Sequence, residues 1–478
     1  MRTGQGEQVK GISRRELLWG VGNGIGGLAL CEMLARDQLL ASERSPLSPL
    51  SPKQPHFPAK ARAVISVFMN GGTSQIDTFD RKPELDRRHG EAPPKSLNIE
   101  TFFPYPGTFL KSPFPFQRYG QSGYEVSDLF RHTATCIDDI ALIRSMRALS
   151  NNHNPAILQM MTGMIQPGRP SLGSWTVYGL GTENQNLPAF VVLLDKTGGP
   201  LGGAQLWSAG FIPASYQGTA LRNQGDPIAD LASPKFVTEK HQRARLDFIK
   251  ELNDLKLAES GGDAELSARI AAYELAFRMQ SHAPDAVDLT KETEATKRLY
   301  GIDDPECEHF GRNCLLARRL VERGVRFVQL YAGSNAADSW DAHADLEGNH
   351  TKRAHAADKP ISGLLKDLKS RGLLDSTLVV WHSEFGRLPV SQSISGRDHN
   401  PKGFTVWLAG GGAKGGAVVG ATDEFGYAAS QEPHTINDLH ATILHLLGMD
   451  HTRLTYVHNG RPFRLTDVSG DVIQNALA

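Results

Sequence analysis

The 478-residue sequence predicts an α/β fold on a mostly parallel central sheet, and three observations predict it. Short β-rich runs at 63–69, 140–146, 189–194, 325–331, 377–382 and 404–409 are apolar without alternation, as strands buried on both faces are. Two of them follow a helical pattern that stops at a glycine. Residues 314–323 carry helical spacing (Leu315, Leu316, Leu320, Val321) and end at Gly324, and 361–371 repeat the plan with Gly372. Hydrophobic content of 40% supports a sizeable core, and no internal repeat competes with this reading.

The elements follow in order. Residues 1–41 are set apart as an address label. Ser13-Arg14-Arg15-Glu16-Leu17-Leu18 is a twin-arginine pattern, and the uncharged stretch 17–30 behind it is short and glycine-broken. It falls below the ~20 apolar residues of a spanning helix, so this segment is expected to engage the twin-arginine export machinery and to leave no stable transmembrane span after processing. Periplasmic or cell-surface residence is expected. Pro46, Pro49, Pro52, Pro55 and Pro58 make 42–58 an extended linker, and a single α/β domain is expected over 59–478. Residues 236–300 are rich in Lys, Arg, Glu, Leu and Ala, with helical spacing at 243–257 and 264–280, and predict a helical insertion with a solvated charged face. The run Gly410–Gly416 lacks the spacing of a phosphate-binding loop and reads as a turn.

Charge excludes some functions. Lys plus Arg total 51 against 52 Asp plus Glu, and 46 against 48 once residues 1–41 are removed, so bulk nucleic-acid binding is not expected. Four cysteines make no disulfide scaffold. Cys136, Cys307 and Cys314 have no CxxC spacing and leave one disulfide open after export. Of 17 histidines, ten lie between His343 and His458.

Ligands of open parallel sheets collect beyond the carboxyl ends of strands. The segments there carry Asp77 and Asp80, Asp341 and His343, Glu384 and Arg387, and then Arg397, Asp398 and His399. Carboxylates with imidazoles form an N/O donor set suited to a divalent metal rather than to soft thiolate chemistry. A network of loop salt bridges to Arg387 and Arg397 is the competing reading.

The blocks GGTSQIDTFDRKPE (71–84), NNHNPAILQMMTG (151–163), WDAH (340–343), HSEFGR (382–387) and GRDHNP (396–401) occur in order. Through them the chain resembles the exported bacterial family called domain of unknown function 1501, over about residues 60–470. That family looks like a branch of the alkaline phosphatase/sulfatase superfamily. The resemblance implies a three-layer α/β/α fold and a metal-dependent hydrolase of phosphate or sulfate esters. Its substrate would be a small-molecule or polysaccharide anionic ester, and its cofactor a divalent metal (Zn, Mn, Ca or Mg). It further implies that Asp341 and His343 correspond to an Asp…His ligand pair, Glu384 to an Asp ligand and His399 to a late His ligand. Asp77, or else Asn70, stands for the carboxylate after the first strand, and Asp398 joins the ligand candidates. The helix over 436–447 resembles the superfamily's C-terminal helix.

Two departures matter. His153 takes the position of the Ser or Cys nucleophile, with Ile157 in place of an Arg, so no formylglycine can form. His153 is left as catalytic group or ligand. Phe385 takes a His-ligand position, which favours a mononuclear or atypical site. Arg387 is expected to pair with an anionic substrate group, as Arg397 could. The alternative function is a non-catalytic exported binding or cell-surface module that retains the fold.

Overall fold

Glu308–Glu322 and Leu346–Ser370 show how the layers form. The first helix buries Leu315, Leu316, Leu320 and Val321, and the second buries Ile361, Leu364, Leu365 and Leu368. Both sets join Ile65, Val67 and Met69 of the first strand in one core. The alternate residues of that strand, Val64 and Phe68, face a second core with Ile157, Trp175, Leu439 and Ile443. Successive side chains of a strand point to opposite faces, so the sheet lies between two helical layers. The three-layer α/β/α expectation is what the chain adopts.

The computed structural model describes residues 49–104, 107–222, 228, 238–259, 264–335 and 338–478. The twin-arginine pattern and residues 42–48 of the proline-spaced segment lie outside these. The rest of that segment lies against the domain: Leu50 is buried, and the Lys53 and Phe57 amides donate to Leu180 O (2.9 Å) and Gly448 O (3.2 Å). Among the described residues no helix is long and apolar enough to cross a membrane, and Cys136, Cys307 and Cys314 are buried free thiols.

Among the described residues the main sheet has nine strands. In chain order they are β1 (Ala63–Met69), β2 (Ile140–Arg147), β3 (Phe190–Leu193), β4 (Thr219–Leu221), β5 (Phe327–Ala332) and β6 (Thr377–His382). After a hairpin of β7 (Gly386–Gln392) and β8 (Gly396–Asn400) come β9 (Phe404–Ala409), β10 (Val418–Val419) and β11 (His434–Thr435). The spatial order is β10-β2-β9-β6-β1-β5-β3-β4, with β11 also on β2. All six predicted strands belong to it. β9 runs antiparallel to both β2 and β6, although its composition matches the parallel strands. Direction comes from the connection. The β7/β8 hairpin stands beyond the carboxyl end of β6 and hands the chain back within three residues, too few for a parallel crossover.

The longer helices among the described residues are α1 (His153–Thr162), α2 (Leu172–Leu180), α3 (Glu239–Glu259), α4 (Ala264–Val287), α5 (Glu308–Glu322), α6 (Leu346–Ser370) and α7 (Ile436–Leu446). The insertion is helical as expected. α6 begins fifteen residues before the predicted 361, because after Leu346 its first half is held by a buried His350, Ala354 and Ala357 rather than by a run of large apolar residues. Asp345 caps it, accepting the Gly348 amide at 2.9 Å.

Two buried charges tie elements together. Arg318 of α5 contacts Glu292 (2.7 Å), Glu322 (2.6 Å) and Asp367 (2.9 Å). Breaking a buried pair strands its partner at a cost of about 3–5 kcal/mol. Arg318→Ala is therefore expected to lower unfolding free energy by about that amount in urea titrations followed by circular dichroism. Arg397 on β8 pairs through two nitrogens with Asp77 (2.8 and 3.2 Å), and neither side chain is exposed. Burial raises the Asp77 pKa, but the Arg397 charge and hydrogen bonds outweigh it and hold the group below its ordinary value. A depressed folded pKa adds stability above the unfolded pKa near 4 and loses it as pH falls through the folded value. The stability gap between the native chain and Asp77→Asn is expected to be full at neutral pH and to shrink below about pH 4, as acid-titrated unfolding would show.

Candidate metal centre

Five segments converge at the carboxyl edge of the sheet. α1 starts at His153, with the Asn152 side chain accepting the Asn154 amide at 3.2 Å as its cap. The loop after β5 brings Asp341 and His343, and the loop after β6 brings Glu384. The hairpin brings Arg387 on β7 and, directly opposite it in register, His399 on β8. The turn after β1 runs beneath them. The 341–343 loop lies flat on the hairpin: Arg397 N–H donates to Ala342 O (2.9 Å), and any side chain at Gly396 would collide with the His343 carbonyl.

His153, Asp341, His343 and His399 place one donor atom each within 4.8 Å of one another. The Asp341 carboxylate is central. His343 Nε2 lies 2.8 Å and His399 Nε2 3.3 Å from its Oδ1, and His153 Nε2 lies 3.2 Å from its Oδ2. Each imidazole is held from behind through Nδ1: His153 by Glu384 Oε1 (2.7 Å), His399 by the Asn151 carbonyl (2.6 Å) and His343 by Gln392 Oε1. A carboxylate or a carbonyl can only accept, so Nδ1 carries the hydrogen and, in the neutral ring, Nε2 presents a lone pair to the common point. His153 Nε2 is buried and makes no hydrogen bond; its 3.2 Å approach to Asp341 meets an ion-pair distance without the angle of a bond. Imidazole nitrogens facing a carboxylate call for positive charge at the common point, which a proton on Nε2 or a cation supplies.

The same demand for positive charge shows in the protonation of His153. Burial alone would keep His153 neutral, but the Asp341 and Glu384 carboxylates outweigh it and push its pKa up to about 9. Burial would raise Asp341, yet its three histidine contacts and Arg387 hold it well below the ordinary carboxylate range. Burial lowers His399 to about 4, against the pull of Asp341. An N₃O set with outer acceptors on every imidazole fits a divalent cation.

Not every expected residue joins the cluster. Glu384 sits one layer back, taking the Gly71 amide (3.0 Å) and the Ser383 hydroxyl (2.9 Å) as well as His153. Asp77 is spent on Arg397. Asp398 faces away, with the Phe102 and Phe103 amides on Oδ2 (2.8 and 2.9 Å) and the His399 amide on Oδ1 (2.8 Å). The ladder is irregular at Asp398, between Arg397 and His399, and its carboxylate turns to the 102–103 loop while His399 points inward. Arg387 is fully buried and donates to Gly72 O (2.7 Å), Arg397 O (3.0 Å), Gly71 O and Asp341 Oδ1 (2.6 Å). It orients Asp341 instead of facing a substrate. Phe385 is buried against His153 and His399, with ring centroids 4.9 and 4.7 Å apart. Gln392, the Asn151 carbonyl and Phe102/Phe103 carried no signal in sequence, because their roles depend on where the hairpin and loops meet.

The pattern described as protein of unknown function (DUF1501) matches residues 61–477. The chain belongs to this family. No curated protein sequence matches this DUF1501 member. Its fold is similar to solved structures of the lipoteichoic acid synthase from Listeria monocytogenes (10% identity, 90% of this chain and 80% of that one, TM-score 0.35). Others are the phosphonate monoester hydrolase from Silicibacter pomeroyi (13%, 67% and 68%, 0.31) and the alkaline phosphatase of the Antarctic bacterium TAB5 (10%, 82% and 99%, 0.34).

Glu384→Gln keeps the shape but weakens the hold on His153 Nδ1–H. Loss of an outer partner of this kind lowers metal affinity about 10–100-fold, which competition with a chromophoric chelator would measure.

Proposed function

We propose that His153, Asp341, His343 and His399 hold one divalent cation, and that this DUF1501 protein is a metal-dependent hydrolase of a phosphate or sulfate ester. The observation that carries the reading is the set of three imidazoles, each tethered at Nδ1 and aimed through Nε2 at one carboxylate, with His153 Nε2 buried and unbonded. Three nitrogens and one oxygen favour zinc or manganese over calcium and magnesium, which take oxygen ligands. Such an ion supplies Lewis acidity toward an ester oxygen and lowers the pKa of a bound water.

The chain's own groups define the rest. Asp341 and His343 retain 22% and 25% side-chain exposure, so the cluster opens to solvent on their side. Arg387 fixes the plane of the Asp341 carboxylate. At the start of α1 stands His153, where a Ser, Thr or Cys would be needed for a covalent ester intermediate. Its Nδ1 is tied to Glu384 and its Nε2 belongs to the cluster, so the reading favours direct attack by water. The twin-arginine pattern at 13–18 supports export to the periplasm or cell surface, a compartment in which an anionic small molecule or polysaccharide ester would be met.

The second reading, a non-catalytic exported module, is favoured by the apolar Phe385 against His153 and His399. Two measurements decide. Full-length protein purified with zinc or manganese is expected to hold about one metal per chain, and Asp341→Ala or His399→Ala to bring this below ~0.2, since ligand loss removes most of the binding energy. A screen of aryl phosphates, phosphodiesters and aryl sulfates is then expected to show turnover that chelator abolishes and metal restores. Metal binding without turnover on any of these esters would favour the binding module.

A further inference from the structure

We propose that Phe102 and Phe103 form an aromatic rim that selects a ring-bearing ester at this centre, an inference that rests on the metal-dependent hydrolase reading. Both side chains are large, apolar and exposed, at 40% and 42%. They stand against two of the four cluster residues. The Phe102 ring lies 5.1 Å from the His399 ring, and the Phe103 ring lies edge-on 5.0 Å from that of His343. The two phenyl rings meet each other edge to face at 5.0 Å.

The pair is pinned in this position. Both amides donate to Asp398 Oδ2, whose partner oxygen takes the amide of His399 itself, so one carboxylate registers the loop and the ligand together. Two residues earlier, the Glu100 amide donates to the Tyr427 hydroxyl (2.9 Å) and its carboxylate meets Lys402 Nζ (2.6 Å). Exposed aromatic side chains beside a polar cluster are what a ligand pocket uses to grip the apolar part of a molecule whose polar part is held elsewhere. The cluster offers a point for an anionic ester group, and the rim offers flat apolar surface beside it. The ligand that fits both carries its ester on a ring with an exposed C–H or π face. Aryl and pyranose rings share that chemistry.

The test uses the full chain loaded with zinc and three non-hydrolysable anions: methylphosphonate, phenylphosphonate and a glucosylmethylphosphonate. Calorimetric titration gives affinities, and metal analysis is run on the same samples. At least one ring-bearing probe is expected to bind about tenfold more tightly than methylphosphonate, the scale of one or two aromatic contacts. The probe that wins identifies an aryl or a sugar ring. Phe102→Ala/Phe103→Ala is expected to erase the preference while metal content and methylphosphonate affinity stay within about twofold, since neither ring supplies a donor atom. If the double variant loses metal, the single variants carry the test, each expected to cost about threefold in preference. Absence of a ring preference in the native chain, or its survival in the variants, overturns the rim and leaves the metal centre standing. A native chain that holds no metal overturns both.

Discussion

Asp341 is the carboxylate on which the rest of the centre depends. Three imidazoles and one guanidinium meet its two oxygens. A partly buried carboxylate in such company stays ionised, and its charge is what makes three neighbouring histidines tolerable at one point. Remove it and the imidazoles face one another across a low-dielectric gap with nothing between them to accept or share charge. The outer acceptors on each Nδ1 complete the device, because they settle which nitrogen points inward.

The β7/β8 hairpin is the frame for this carboxylate. It supplies Arg387, Gln392 and His399 to the centre, and Arg397 and Asp398 to its fastening. Arg397 reaches down to Asp77 on the turn after β1, while Asp398 reaches out to the loop carrying Phe102 and Phe103. One short hairpin thus couples the sheet, the cluster and the rim. Buried ion pairs such as Arg397–Asp77 add little net stability over apolar packing, but they are costly to break, and here the pair holds a register.

Much of the centre was legible because composition and position coincide at strand ends. Asp341, His343 and His399 follow or precede apolar runs, and polar residues there have few places to go except the shared edge. His153 was legible as a departure, an imidazole in a helix start where the related pattern has a nucleophile. Asp77, Asp398 and Arg387 have the same chemistry at the same edge, yet none presents itself to the opening. Residue type states what a side chain can bind, while the local ladder and the approach of loops decide which way it points. Gln392 and Phe102 lay beyond sequence reading because each acquires its role from a neighbour far along the chain.

Apolar runs and glycine stops determined by themselves six strands of the sheet, two of its flanking helices and the edge where chemistry collects, since burial on two faces and helix termination are local properties of the chain. They did not determine the direction of β9, the early start of α6, or the division of nine acidic, basic and imidazole side chains into cluster members, props and fasteners. Those were decided by tertiary structure: by a hairpin that leaves only three residues before β9, by small residues packed beneath a polar helix, and by one carboxylate close enough to three imidazoles to organise them.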